Sequence, residues 1–189
     1  MDDFIELVKN KNVLLVGNGS SVLKRNYSKD IDSYEFVIRF NYGIREHRKY
    51  PNTGKKADAW FYTIWNPEKC INVWKSLKHK PKHCIRHTGE PVNIGECQYH
   101  IPTEFRDKLN ASLNYPERKL ASTGLCAIHY LVEYCDPKSI TLIGFDSFNT
   151  SNYYKRSNIG RLRHLPDVEK AYINKLFKEN KIKFLDRRK

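Results

Sequence analysis

Two short, largely apolar runs constrain the fold of this chain most, because each one leads into a glycine-containing polar loop. Residues 13–16 are followed by Gly17-Asn18-Gly19. Residues 140–144 are followed by Phe145 and Asp146. The first run is continuously apolar and the second is interrupted only by Thr141, and near-continuous apolar runs of this length are typical of parallel strands that are buried on both faces. The two runs therefore predict a parallel sheet with polar loops at one edge.

The remaining pattern alternates strands with helices. Strands are predicted over 36–41, 57–63, 83–87 and 182–185, and helices over 2–10, 73–77, 103–109, 123–135 and 166–180. Such alternation predicts an α/β fold, a Rossmann-like, mostly parallel sheet with helices on both faces. No internal repeat, low-complexity tract or linker divides the sequence, so residues 1–189 are expected to form one domain. The polar, tyrosine-containing segment 149–163 is predicted to be a lid loop.

The charge is strongly basic, with 34 Lys and Arg against 21 Asp and Glu, a formal net charge of +13. A basic excess suits anionic substrates, an anionic membrane surface or nucleic acid, and it equally suits an ordinary solvated surface.

The sequence also bears on the cellular compartment. No apolar run reaches the ~20 residues of a membrane helix, and no signal peptide is evident. The five cysteines show no disulfide framework, which predicts a cytoplasmic, reducing compartment with at most peripheral membrane contact.

The loop after the first run is the first candidate site. Gly17, Asn18, Gly19, Ser20 and Ser21 combine glycines, which allow close backbone approach, with polar side chains. Ligands of open α/β sheets bind beyond the carboxyl ends of the strands, and exposed N–H groups at such loops bind anions. The loop is neither G-x-G-x-x-G nor a Walker P-loop. It is therefore a nucleotide-binding loop or a tight structural turn.

Two further polar positions follow the same logic. Asn41 ends the second predicted strand, where its amide either reads a base or ribose or simply forms a turn. Arg39, two residues before Asn41, could pair with a buried carboxylate such as that of Asp32 or Asp58.

The start of a predicted helix is a further candidate site, because Ser122, Thr123 and Gly124 open it. Hydroxyl groups beside free helix N–H groups bind a carboxylate or a phosphate, or they act only as a helix cap.

Candidate catalytic side chains lie nearer the C-terminus. His164 precedes the helix 166–180, where an imidazole can be a general base or an incidental histidine. Glu169 could orient His164 or cap the helix. Tyr153 and Tyr154 lie in the predicted lid, and their hydroxyls either stabilise a departing phosphate or belong to surface aromatics.

Taken in order, these segments resemble the sialylmotifs of sialyltransferases. Segment 13–41 resembles the large sialylmotif of glycosyltransferase family 29 through Arg39 and Asn41, and the bacterial family 42 through residues 17–21. Segment 121–145 resembles the small sialylmotif. The spacing of His164 and Glu169 matches the very small motif, His-x-x-x-x-Glu. Residues 54–62 and Asn66-Pro67 also resemble family 42.

The resemblance implies the GT-A-like sialyltransferase fold and an inverting transfer of sialic acid from a CMP-sugar to a sugar hydroxyl of a glycan or glycolipid. No metal or other cofactor and no nucleic acid is implied. His164 would be the base, Tyr154 would meet the phosphate, and Asp146 would contact the cytidine or its ribose. The other implied donor-binding residues are Gly17, Asn18, Gly19, Ser20, Ser21, Asn41, Asn66 or its rival Thr63, Ser122, Thr123, Gly124, Gly144, Phe145 and Tyr153.

The sequence also departs from both families. Val13 stands where family 29 has a cysteine that is bridged to the position of Cys135, and Asn152 stands where its third motif begins with His. Phe148 replaces a tyrosine of family 42. The alternatives are a CMP-Kdo-type transferase, an inactive CMP-binding domain, a basic nucleic-acid-binding domain, and a zinc module built from His83, Cys84, His87, Cys97 and His100.

Overall fold

Seven strands form one sheet in the computed structural model, which describes residues 2–63, 66–87, 92, 94, 98–154 and 163–186. The sheet order is β5-β4-β3-β2-β1-β6-β7, and every neighbouring pair is parallel. This confirms the predicted parallel α/β sheet. The strands are β1 (Asn12–Val16), β2 (Phe36–Phe40), β3 (Ala59–Tyr62), β4 (His83–His87), β5 (Gln98–Ile101), β6 (Ser139–Ile143) and β7 (Lys183–Phe184).

Helices cover both faces of the sheet, as the alternating pattern predicted. Helices α1, α5, α6 and α7 contribute to the core on one face, while α2, α3 and α4 contribute to the cores on the other. Their bounds are α1 (Asp2–Val8), α2 (Ser28–Asp32), α3 (Gly43–Glu46), α4 (Pro67–Ser76), α5 (Thr103–Ser112), α6 (Thr123–Tyr134) and α7 (Pro166–Lys178).

The central strand β1 shows why an unbroken apolar run is needed here. Val13 and Leu15 belong to the core under α6 and α7, whereas Leu14 and Val16 belong to the core on the opposite face. All four side chains are buried. Burying one such side chain contributes about 1.5–3 kcal/mol. Because two of the four side chains are buried on each face, this short strand stabilises the packing of helices on both faces of the sheet.

The structure also corrects parts of the sequence prediction. The edge strand β5 was not predicted, and α4 begins at Pro67, six residues before the predicted helix 73–77. Asn66 caps α4, since its Oδ1 accepts a hydrogen bond from the Lys69 amide at 3.0 Å. An Asn N-cap followed by Pro at the first helical position is a helix-start signal, and it marks this start better than the apolar residues of 73–77 do. Among the described helices, none has the length and apolar character needed to cross a membrane.

The strand order creates a crevice at the centre of the sheet. From β1 the chain builds outward to β5 and then returns to place β6 on the other side of β1. Val16 is in register with Ile143, so the loops after β1 and β6 leave the sheet side by side. Such a switch point is where open α/β sheets bind ligands.

Candidate active site

A cleft of about 540 Å³ lies at this switch point. We call it the central cleft. Fourteen of the predicted site residues line it, whereas Ser20, Ser21 and Tyr153 do not. The fourteen are Gly17, Asn18, Gly19, Asn41, Asn66, Ser122, Thr123, Gly124, Gly144, Phe145, Asp146, Tyr154, His164 and Glu169.

Glycines bring the two central loops into close contact. The Gly17 amide donates to Ile143 O at 2.8 Å, and the Gly19 amide donates to Gly144 O at 2.9 Å. Gly144 has φ of +73°, and a Cβ there would lie 2.7 Å from Gly17 O. An alanine at this position would meet both the left-handed backbone penalty and a backbone clash. The glycines therefore let the backbones of the two loops pack directly against each other at the bottom of the cleft, with no side chain between them.

Asp146 fastens the β6 loop to the β1 loop. Its carboxylate accepts a hydrogen bond from the Ser21 amide at 3.0 Å and from the hydroxyls of Ser21 and Thr150. A side chain at Gly19 would collide with this carboxylate. Ser20 and Ser21, which the resemblance implied as donor-binding residues, do not line the central cleft. The Ser21 hydroxyl is used by Asp146, and the Ser20 amide donates to Ser151 O and Thr150 Oγ1.

Asn18 and Asn41 both line the cleft, but their amides differ in environment. Asn41 Oδ1 accepts from the Thr63 amide at 2.9 Å, and its Nδ2 donates to Thr123 Oγ1 at 3.2 Å. Asn41 thus links the end of β3 to the start of α6. Asn18 Nδ2 is 3.4 Å from Phe40 O, while Asn18 Oδ1 is buried without a hydrogen-bond partner among the described residues. A buried acceptor of this kind is costly until a donor reaches it.

The start of α6 forms one wall of the cleft. Ser122 is the N-cap residue, and its Oγ accepts a hydrogen bond from the Leu125 amide at 3.1 Å. The amides of the first helical turn, at Thr123 and Gly124, have no acceptor within the helix. Together with the helix dipole they favour an anion in front of them.

Glu169 holds this helix start in place from α7. Its carboxylate accepts hydrogen bonds from the Ser122 amide at 2.8 Å, from Ser122 Oγ at 2.6 Å and from Tyr115 Oη at 3.3 Å. Burial raises the pKa of Glu169 to about 7, although these three donors act in the opposite direction. Glu169 was expected to orient His164 or to cap the helix, and in the structure its carboxylate binds Ser122 and Tyr115.

His164 is oriented by a backbone carbonyl. Its Nδ1 lies 2.7 Å from Leu120 O, and because a carbonyl only accepts, Nδ1 carries the proton and a neutral ring keeps its lone pair on Nε2. Burial lowers the pKa of His164, and the charges of Arg163 and Lys119 lower it further, against the opposite effect of the Leu120 contact. The imidazole is therefore neutral near pH 7 and able to accept a proton.

The two tyrosines of the predicted lid have different roles. Tyr154 lines the cleft, and burial raises its pKa to about 12, so its hydroxyl remains a hydrogen-bond donor at neutral pH. Tyr153 is buried, and its Oη donates to Gly43 O at 3.1 Å. Tyr153 therefore packs behind the wall of the central cleft and does not line it. Residues 155–162 of the predicted lid lie outside the described residues.

Some cleft residues were not among the sequence candidates. Lys69 and Arg163 add two cations, and Tyr42 and Thr150 add hydroxyl groups. Lys69 follows the Asn66 cap by three residues, so recognition of the Asn-Pro helix start would have placed it near the cleft. Thr63 and Asn66, the two alternatives for one donor-binding position, both line the cleft.

Two alternative interpretations of the sequence find no support in the described residues. Arg39 does not pair with a carboxylate, because its Nε and Nη2 donate to the carbonyls of Lys56 and Thr53 at 2.9 and 2.7 Å. Among the described residues, no three His, Cys, Asp or Glu side chains converge as metal ligands. Of the suggested zinc ligands, Cys97 lies outside the described residues.

Comparisons with known proteins agree with the motif resemblance, although no protein-family model matches the chain. The mouse CMP-N-acetylneuraminate-beta-galactosamide-alpha-2,3-sialyltransferase 2 is 24% identical over 89% of this chain and 55% of its own length. The mouse alpha-2,3-sialyltransferase 1 of the same type is 26% identical over 80% of this chain and 50% of its own length. The chain thus spans about half the length of the curated relatives it matches.

The fold of this chain is similar to the folds of solved sialyltransferase structures. A mammalian sialyltransferase in complex with Gal-beta-1-3GalNAc-ortho-nitrophenol superposes with a TM-score of 0.64 at 18% identity, covering 97% of this chain and 72% of that one. The sialyltransferase CstII from Campylobacter jejuni, in complex with cytidine-5'-monophosphate, gives a TM-score of 0.63 at 18% identity, covering 93% and 79%. The chain therefore has the sialyltransferase fold, and its resemblance to both the animal-type and the bacterial enzymes is confirmed.

Proposed function

We propose that this protein is a CMP-sugar-dependent glycosyltransferase that moves sialic acid from CMP-sialic acid to a sugar hydroxyl of a glycan or glycolipid. The observation that carries the proposal is His164. Its imidazole lines a cleft at the switch point of a sialyltransferase fold, and Leu120 O fixes the proton on Nδ1. A neutral imidazole with a basic Nε2 is the group needed to activate a hydroxyl nucleophile.

Donor binding is assigned to the loops after β1 and β6 and to the start of α6. The loops offer backbone groups and the buried Asn18 Oδ1, which suit a nucleoside rich in donors and acceptors. The amides of Thr123 and Gly124 suit the phosphate or the sugar carboxylate. The relatives whose names and complexes include CMP support this assignment.

The chemical step is assigned to His164 and Tyr154. Nε2 of His164 takes the acceptor proton while the acceptor oxygen forms a bond to the anomeric carbon. The bond between that carbon and the phosphate oxygen breaks, and its electron pair leaves with CMP. Attack from the side opposite to CMP inverts the configuration. The protonated hydroxyl of Tyr154 donates to the phosphate as negative charge develops.

The resemblance supports a sugar hydroxyl as the acceptor, and the charge of the cleft supports transfer without a metal ion. The mammalian structure was solved with a galactose-containing acceptor analogue, which supports a galactose hydroxyl here. The two cleft cations, Lys69 and Arg163, together match the two negative charges of a CMP-sialic acid donor. We therefore expect transfer to proceed without an added divalent ion.

A transfer assay with mass-spectrometric detection tests this proposal. The protein is incubated in EDTA with CMP-sialic acid and a panel of galactose-terminated oligosaccharides, and sialylated product and released CMP are measured. We expect transfer that His164→Ala abolishes and that His79→Ala, at an exposed histidine away from the cleft, leaves unchanged. Transfer from CMP-Kdo alone would replace the sugar, and no transfer from either donor would overturn the proposal.

A further inference from the structure

We propose that Phe148 is a positioning residue for His164, because its ring lies against the face of the imidazole that Leu120 holds by one edge. The inference rests on the proposed function of His164 as the base. It concerns a residue that the motif resemblance marks only as a departure, since family 42 has a tyrosine there.

The contact between the two rings is a stacked one. The centroids of Phe148 and His164 are 5.1 Å apart, and the ring planes differ by 20°. Both residues line the central cleft. Offset stacking of this kind is favourable beyond the area that it buries. Phe148 therefore covers one face of the imidazole with an apolar surface, where a smaller side chain would admit water.

The backbone that delivers Phe148 is strained. Ser147 and Phe148 have φ of +48° and +58°, so two consecutive non-glycine residues are left-handed. Such a conformation is uncommon for any side chain and a marked outlier for a bulky one. Strain of this kind persists where surrounding contacts impose it, and it is concentrated at functional sites.

Those surrounding contacts are present in the same turn. The Asn149 amide donates to Asp146 O at 2.9 Å, and the Asp146 carboxylate is held by Ser21 and Thr150. The turn is thus anchored to the β1 loop on the floor of the cleft. Its anchoring imposes the position of the Phe148 ring over the imidazole.

A second restraint on the His164 ring acts in the plane of the ring, whereas the Phe148 stack acts on its face. His164 Nδ1 contacts Leu120 O, and the Leu120 amide donates to Arg163 O at 3.0 Å. The carbonyl fixes the edge of the ring, and Phe148 fixes its face. Rotation of the imidazole would break one contact or the other, so Nε2 keeps a constant direction.

The stack also has an electrostatic consequence that can be measured. Among the residues that the structure describes, Arg163 and Lys119 are the charged neighbours that act on the imidazole, and Glu169 of α7 lines the same cleft. Burial is the largest cause of the lowered pKa of His164. Removing the phenyl face admits water and stabilises the imidazolium, so the pKa should move up toward its ordinary value.

The test compares Phe148→Leu with Phe148→Tyr, using Phe177→Leu on α7 as the matched control. The imidazole of His164 is titrated by NMR in isotopically labelled protein, CMP affinity is measured by calorimetry, and kcat and KM are measured in the transfer assay. For Phe148→Leu we expect a raised His164 pKa, a kcat lowered about 10–100-fold, and unchanged CMP affinity. Phe148→Tyr keeps an aromatic face and should retain the wild-type titration.

Several outcomes would overturn the inference. An unchanged His164 titration in Phe148→Leu would mean that the ring does not shield the imidazole. Equal losses in the Leu and Tyr variants would exclude a role for the aromatic face. A parallel loss of CMP affinity would assign Phe148 to donor binding. The NMR titration needs no turnover, so it tests the stack even if the wild-type protein transfers no sugar.

Discussion

Replacing Glu169 with glutamine should make the protein more stable at alkaline pH and change its stability little at acid pH. Glu169 is buried, and burial raises its pKa from 4.5 to about 7. A raised carboxyl pKa means that the folded protein prefers the protonated form. Well below pH 4.5 the Glu169 carboxyl is protonated in both the folded and the unfolded protein, and its contribution to stability is fully present. This contribution is lost as the pH rises from 4.5 toward 7, because the unfolded protein ionises first.

The magnitude follows from the size of the pKa change. Each tenfold change in proton affinity corresponds to about 1.4 kcal/mol. The rise from 4.5 to about 7 therefore means that ionised Glu169 destabilises the folded state by about 3 kcal/mol relative to protonated Glu169. Most of this cost, about 2–3 kcal/mol, develops between pH 5 and pH 8. Glutamine keeps an acceptor oxygen for the Ser122 amide and cannot ionise.

Urea unfolding at a series of pH values measures this effect. The difference in unfolding free energy between Glu169→Gln and wild type should grow by about 2–3 kcal/mol from pH 5 to pH 8. Glu117→Gln, at an exposed position, should show no comparable trend. A difference for Glu169→Gln that is independent of pH would refute the reasoning, since it would mean that Glu169 titrates normally in the folded protein.

Three further substitutions test separate parts of the account. His164→Ala should lower turnover about 10²–10⁴-fold, the usual contribution of a positioned base, with CMP affinity nearly unchanged in calorimetry; equal turnover would remove His164 from the mechanism. Tyr154→Phe should lower kcat more than it raises the KM for the donor, because its hydroxyl acts on the leaving phosphate; a change in KM alone would place it in ground-state binding. Gly144→Ala should cost at least about 1–2 kcal/mol in urea unfolding and weaken CMP binding, and wild-type stability would contradict the close approach to Gly17.

The sequence was sufficient for the central strands and for the floor of the site. Strands β1 and β6 are largely apolar because both of their faces are buried, and a glycine follows each strand at the start of its loop. The strand β5 escaped prediction because it lies at the sheet edge, where only Ile101 is fully buried. An edge strand of four residues leaves little periodicity to recognise.

The contacts that tune the site could not be predicted in the same way. Glu169 and Ser122 are 47 residues apart in the chain, and the Phe148 stack on His164 depends on two left-handed residues that are not glycine. Asn41 lines the cleft as expected for a donor-binding candidate, but its hydrogen bonds to the Thr63 amide and to Thr123 Oγ1 could not be predicted. Residue type and spacing identify polar groups at strand ends, but tertiary packing decides which partners they bind.

Calorimetric titration with CMP, in EDTA and with UDP and GMP as controls, tests the central claim most directly. The account predicts saturable binding of CMP that is selective over the other two nucleotides and does not require a metal ion. Asp146→Asn should weaken this binding, because the carboxylate holds the β1 and β6 loops together. Absence of CMP binding, or equal binding of all three nucleotides, would contradict the proposal that the central cleft is a CMP-sugar site.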